Sequence, residues 1–118
     1  MGIYDTMTDE ELLSRLRAGE RDIMDYLMVK YKSMVRRKAR EMFLIGGEND
    51  DLIQEGMIGL MKAVQNFDPE QGNSFQSFAE LCVSRQMYSA IEASRRKKHL
   101  PLNSYVSLYE VEADDDES

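Results

Sequence analysis

Few residues in this 118-residue chain are of the kinds that make or break bonds. There is one histidine, His99, and one cysteine, Cys82. That pair cannot furnish the usual zinc sites, and no HExxH run, calcium-binding loop or phosphate-cradling glycine loop is present. Cys82 lies among apolar neighbours and reads as a buried small hydrophobe. The carboxylate pair Asp50/Asp51 is explained by helix capping. The expectation is therefore a protein with no catalytic residues, no metal and no cofactor. What remains is recognition chemistry. In DDLIQEGMIGLMKAVQNFDP, residues 50–69, the polar residues Asp51, Gln54 and Glu55 are spaced to lie together on a helix surface. Gly56 and Gly59 interrupt the same helix, although each costs roughly 1 kcal/mol relative to alanine. Basic residues also cluster: 30–40, KYKSMVRRKAR, holds six bases and no acid, and 95–98 reads RRKK.

These residues need elements to position them. Two prolines and little period-two alternation predict an all-α chain. A short helix is expected over 8–18, with Thr8 and Glu11 forming a capping box and Gly19 ending it. A long second helix over 21–44 is marked by Ile23, Leu27, Tyr31, Met34, Val35, Met42 and Phe43, with Tyr26 and Ala39. Lys32, Arg36, Arg37 and Arg40 occupy its other face, and Gly46-Gly47 closes it. A third helix, capped by Asn49 or Asp50, places Ile53, Met57, Leu60, Met61 and Val64 on one face and ends at Pro69. A fourth begins at Ser74 and runs to about Lys97. The fold class expected is a compact bundle of three long helices plus a short N-terminal one, followed by an irregular C-terminal tail.

The net charge of −7 is carried largely by 110–118, EVEADDDES, which holds six acids; without it sixteen acids face fifteen bases. Residues 1–98 are expected to form the helical domain, 99–109 a linker and 110–118 a disordered acidic tail. No apolar run is long enough for a membrane span, and a single cysteine allows no intrachain disulfide. The expected location is the cytoplasm, with no membrane partner.

DLIQEGMIGLMKAVQNFDP closely resembles region 2.2 of the bacterial sigma-70 family of transcription initiation factors. DYLMVKYKSMVRRKAR (25–40) resembles region 2.1, and FQSFAELCVSRQMYSAI (75–91) resembles region 2.3 running into 2.4. SFAELCVSRQ, followed by RRKKHLPLNSYVSL (95–108), is most similar to the sigma-H type, the stationary-phase and sporulation factors of Firmicutes. The resemblance spans residues 8–108. It implies a domain that binds the β′ coiled coil of core RNA polymerase and that recognises and melts the promoter −10 element.

Positions matching the polymerase contacts are Asp51, Gln54, Glu55, Met57 and Met61. For DNA, Phe67 matches the wall of a pocket for a flipped non-template base, Phe75 and Phe78 match aromatic positions, and Ser77 a polar contact nearby. Phe75 and Phe78 also fit plain core packing. Arg85 and Tyr88 match readers of the upstream −10 base pairs, and Arg85 shares a helical face with Tyr88 and Glu92. Arg95, Arg96, Lys97 and Lys98 match phosphate contacts, while as last-turn bases they equally suit the helix dipole. Primary sigma factors carry adjacent tryptophans where this chain has Leu81 and Cys82, which implies weaker melting. Nothing reads as regions 3 and 4, so the chain is expected to be the core-binding and −10-reading portion alone. An anti-sigma factor is a further candidate partner. The rival reading is a helical protein–protein module without DNA activity, a sigma-derived antagonist or an anti-sigma-binding fragment, with the acidic tail masking Arg95–Lys98. Gly56 and Gly59 could serve a partner helix or this domain's own core.

Overall fold

A computed structural model describes residues 2–43 and 49–99, with side chains of the second span described from Asp51 to Lys97. Among these residues every regular element is helical: α1 (Asp9–Arg17), α2 (Asp22–Lys30), α3 (Lys32–Phe43), α4 (Asn49–Asn66), one 3-10 turn (Pro69–Gln71) and α5 (Phe75–His99). The all-α bundle expected from the periodicity is what forms. The Gly46-Gly47 stop, the side chains of Asn49 and Asp50 on which the expected cap depends, the side chains of Lys98 and His99, and the segments 100–109 and 110–118 lie outside the described residues.

Helix α1 starts where its capping box says it should. Thr8 Oγ1 accepts from the Glu11 N–H (3.1 Å) and Glu11 Oε1 accepts from the Thr8 N–H (2.9 Å). It stops at Gly19, whose φ of 118° is open to glycine and strained for other residues. The single helix expected over 21–44 is instead two, divided at Tyr31 (φ −98°, ψ 5°). The apolar stripe runs through the break because each half has its own neighbour: α2 packs on α1, whereas α3 packs on α4 and α5. Tyr31 serves both halves. Its hydroxyl donates to the Asp9 carboxylate on α1 while its ring meets Phe75 edge-on at 5.7 Å. Burial and that hydrogen bond push the Tyr31 phenol pKa well above its ordinary value.

The buried face of α4 is also rotated from the one its apolar residues suggest. Leu52, Leu60, Ala63 and Val64 are buried, Ile53 and Met57 are half-buried, and Met61 lies outside. The glycines account for the rotation. A Cβ on Gly59 would lie 2.7 Å from the Cys82 carbonyl oxygen and 2.9 Å from Val83 Cα. A Cβ on Gly56 would overlap Met87 Cε and come within 2.7 Å of Val35 Cγ1. Both glycines are thus consumed by this domain's own core, where they let α4 approach α3 and α5 closely. Leu60, Phe75, Val83, Met87 and Ile91 fill the resulting seam.

Candidate functional site

The outward face of α4 carries the polar cluster. Asp51 and Gln54 are exposed. Glu55 is half-buried and already engaged: Gln86 Nε2 on α5 donates to it at 2.9 Å, and Lys62 Nζ donates to Gln86 Oε1 at 2.9 Å. The structure therefore ties Glu55 to the α4–α5 seam and leaves Asp51 and Gln54 as the outer polar pair. Met57 is half-buried, whereas Met61 and Ile58 are each 44% exposed. Ile58 escaped the sequence reading, although it stands four residues after Gln54 and three before Met61. Asp51, Gln54, Ile58 and Met61 form one stripe at helical spacing, polar at its start and apolar at its end.

At the corner between α4 and α5 the three phenylalanines meet. Phe67 stacks edge-on with Phe75 (centroids 5.5 Å apart, planes at 88°) and at a tilt with Phe78 (5.7 Å). They are not equivalent. Phe75 is 0% exposed, enclosed by Tyr31 and Phe67, so it has no face to offer a base. That burial suits the core packing that its spacing also allows. Phe67 is 4% exposed and forms part of a cavity wall, while Phe78 is half-buried. The cavity, about 220 Å³, is lined by Asn66, Phe67, Asp68, Gln71, Asn73 and Phe78. At roughly 30 Å³ per water it has the room of about seven waters, the scale of one base. Phe78 gives it an aromatic side, and the two asparagines, the glutamine and Asp68 give it donors and acceptors. Of the polar lining nothing was singled out from sequence, because PEQGNS reads only as a helix stop. Its turn is built locally: Asp68 Oδ1 accepts from the Glu70 N–H at 2.9 Å, and Gly72 takes φ 87°.

Helix α1 reaches this corner from behind. Arg17 Nη2 donates to the carbonyls of Val64 (3.0 Å) and Phe67 (2.8 Å), where α4 ends. Glu10 Oε2 accepts from the N–H of Phe75 (3.0 Å), where α5 begins. Ser74 caps the same helix, its Oγ accepting from the Ser77 N–H at 3.1 Å. Ser77 itself is exposed beside Phe78.

Along α5 the outward positions Leu81, Arg85 and Tyr88 are exposed at steps of four and three. Glu92 continues the line and takes an ion pair from Arg95 at 3.2 Å. Arg96 and Lys97 are exposed on the final turns. Cys82 is half-buried, and burial pushes its thiol above the ordinary value, so it stays protonated at neutral pH. Among the described residues no helix is long and apolar enough to cross a membrane.

Comparison with known proteins gives this geometry its class. Residues 27–97 match the family model described as sigma-70 region 2, which covers more than half of the chain. The chain belongs to the sigma-70 family of transcription initiation factors. Within that family it is similar to the RNA polymerase sigma-H factor of Bacillus licheniformis, at 47% identity over 92% of this chain and 50% of that protein. It is similar likewise to the sigma-H factor of Bacillus subtilis (strain 168), at 48% identity over 86% of this chain and 47% of that protein. The RNA polymerase sigma factor SigI of the same strain is 29% identical over 94% of this chain. The chain spans about half the length of the sigma-H relatives. Helix α1 lies outside the segment matched by the family model, whereas its partners Val64, Phe67 and Phe75 lie within it.

Proposed function

We propose that this chain docks on core RNA polymerase and reads the promoter −10 element as an opened, non-template strand. The observation that carries the reading is the cavity beside Phe78, which opens next to the exposed line of Leu81, Arg85 and Tyr88. Extruded bases are held by an aromatic face and edge hydrogen bonds, with basic residues following the backbone. Phe78 supplies the face, Asn66, Gln71 and Asn73 the edge contacts, and Phe67 the wall. Arg85 and Tyr88 would meet the base pairs just upstream, and Arg96, Lys97 and Lys98 the phosphates, with Arg95 able to join them by leaving Glu92. Leu81 is a smaller wedge than tryptophan, in keeping with weaker melting.

Docking is assigned to the outer stripe of α4. Asp51 and Gln54 suit basic side chains of a partner helix, and Ile58 and Met61 provide adaptable apolar contact. The β′ coiled coil is the partner that the family implies, and an anti-sigma factor would compete for the same stripe. Residues 1–98 act as one unit in this reading, since α1 is bonded to both helices of the corner. The mechanism is binding throughout, in the compartment of the polymerase, the cytoplasm.

The test uses the chain with core polymerase and a labelled −10 single strand, intact or abasic at the adenine expected to flip. A stacked base is worth about 1–3 kcal/mol, so the intact strand should bind roughly tenfold tighter or more, and Phe78→Ala should erase the difference. Equal binding of the two strands by the unaltered chain would leave the protein–protein module as the better reading.

A further inference from the structure

We infer that α1 is a brace that sets the shape of the base-sized cavity, with Glu10 and Arg17 as its positioning residues. The two ends of the α4–α5 corner carry opposite partial charges: bare carbonyls where α4 stops and bare N–H groups where α5 starts. Helix α1 presents one side chain of the matching sign to each. The Arg17 guanidinium takes the Val64 and Phe67 carbonyls, and the Glu10 carboxylate takes the Phe75 N–H. Among the described residues neither forms an ion pair, and the seven-residue spacing between them is two helical turns, so both reach the same side.

Phe67 is the point of transmission. It forms a wall of the 220 Å³ cavity and also lines a second cavity, about 190 Å³, together with Glu10, Leu13, Ser14, Arg17 and Pro69. Phe67 packs against Phe75 and Phe78, so where its ring stands depends on what holds the backbone beneath it and beneath Phe75. Its backbone is fixed by Arg17, and its neighbour Phe75 by Glu10. Loss of either bond lets the ring shift toward α1, which changes the wall that a base would meet. This inference rests on the proposed reading for its functional consequence, but the brace itself is a structural claim and is tested separately.

The experiment measures amide hydrogen exchange and strand binding on the full chain with Glu10→Ala, Glu10→Gln, Arg17→Ala and Arg17→Lys. Glutamine keeps an acceptor for the Phe75 N–H; lysine keeps the charge but cannot reach both carbonyls in the planar manner of arginine. Expected is a rise in exchange of about tenfold confined to residues 64–78 for the two alanine variants. Glu10→Gln should restore protection, and Arg17→Lys should do so only in part. The preference for the intact over the abasic strand should fall in the same order. Unchanged exchange in 64–78, or a rise spread equally over α2, α3 and α5, overturns the brace, because that pattern means general destabilisation. Absence of strand preference in the unaltered chain overturns the −10 reading instead, and the exchange data still decide the brace.

Discussion

Replacing Gly59 by alanine adds one methyl group at the closest approach of α4 and α5. In an ordinary helix interior this change gains about 0.8–1.0 kcal/mol. Here the added Cβ would stand 2.7 Å from the Cys82 carbonyl oxygen and 2.9 Å from Val83 Cα. Both are backbone atoms of a long helix, so neither can swing aside. Carbon atoms rest at about 3.5–4.0 Å, and opening a seam by 0.5–1 Å forfeits roughly a quarter to a half of each contact along it. Overpacking of this kind costs about 1–3 kcal/mol, occasionally more. The two effects leave a net loss of up to about 2 kcal/mol for Gly59→Ala. With a urea slope of about 1–3 kcal/mol per M, the unfolding midpoint should fall by as much as roughly 1 M. Gly56→Ala should lose less, because one of its obstacles is the flexible end of Met87. Midpoints and slopes from urea titrations followed by circular dichroism give the comparison directly. A higher midpoint for Gly59→Ala would refute the close-approach argument, since the residue would then behave as any helical glycine. Weaker polymerase binding at unchanged stability would return the glycine to a partner interface.

Three further outcomes concern the site and the N-terminal hydrogen bonds. Arg85→Ala should lose about 1–3 kcal/mol of discrimination at one promoter position while keeping its salt dependence. Arg96→Ala or Lys97→Ala should instead weaken all sequences and reduce the salt slope by roughly 0.7–0.9; competition binding over a salt series separates the two. The Tyr26 hydroxyl, with the Gly2 N–H, holds the Asp5 carboxyl below its ordinary 3.8, and the Tyr4 hydroxyl, with Arg15, holds Glu20 below 4.5. Depressed folded values mean stability that is full above those ordinary values and lost as pH falls through the lower, folded ones. A Tyr4→Phe/Tyr26→Phe variant should therefore melt lower than the parent at neutral pH, and the gap should close in acid. A gap constant with pH would assign the loss to packing.

Local chemistry was the legible part of this chain. Thr8, Glu11 and Gly19 bound α1 as their types dictate, and the helical class followed from periodicity. The break at Tyr31 was hidden because its apolar stripe continues unbroken while its neighbours change from α1 to α4 and α5. The burial of Phe75 and the engagement of Glu55 by Gln86 depend on which helices meet. Spacing within one helix does not report that. The same holds for Arg17 on Phe67 and Glu10 on Phe75, which join residues 50 and 65 positions apart. The two glycines were conspicuous in sequence, but only the crossing of α4 over α5 shows what they accommodate. The polar lining of the cavity went unseen because a loop's side chains have no period.

The central claim, that the outer stripe of α4 is a polymerase-docking surface, is tested most directly by titrating the chain onto a β′ clamp-helix fragment. Gln54→Ala/Met61→Ala is the right comparison, because both side chains are exposed and neither holds the fold together. The account predicts binding by the parent and a loss of about 2 kcal/mol or more in the variant, the scale of an interface hot spot, with unchanged melting. No binding by the parent, or equal binding by both, would contradict it.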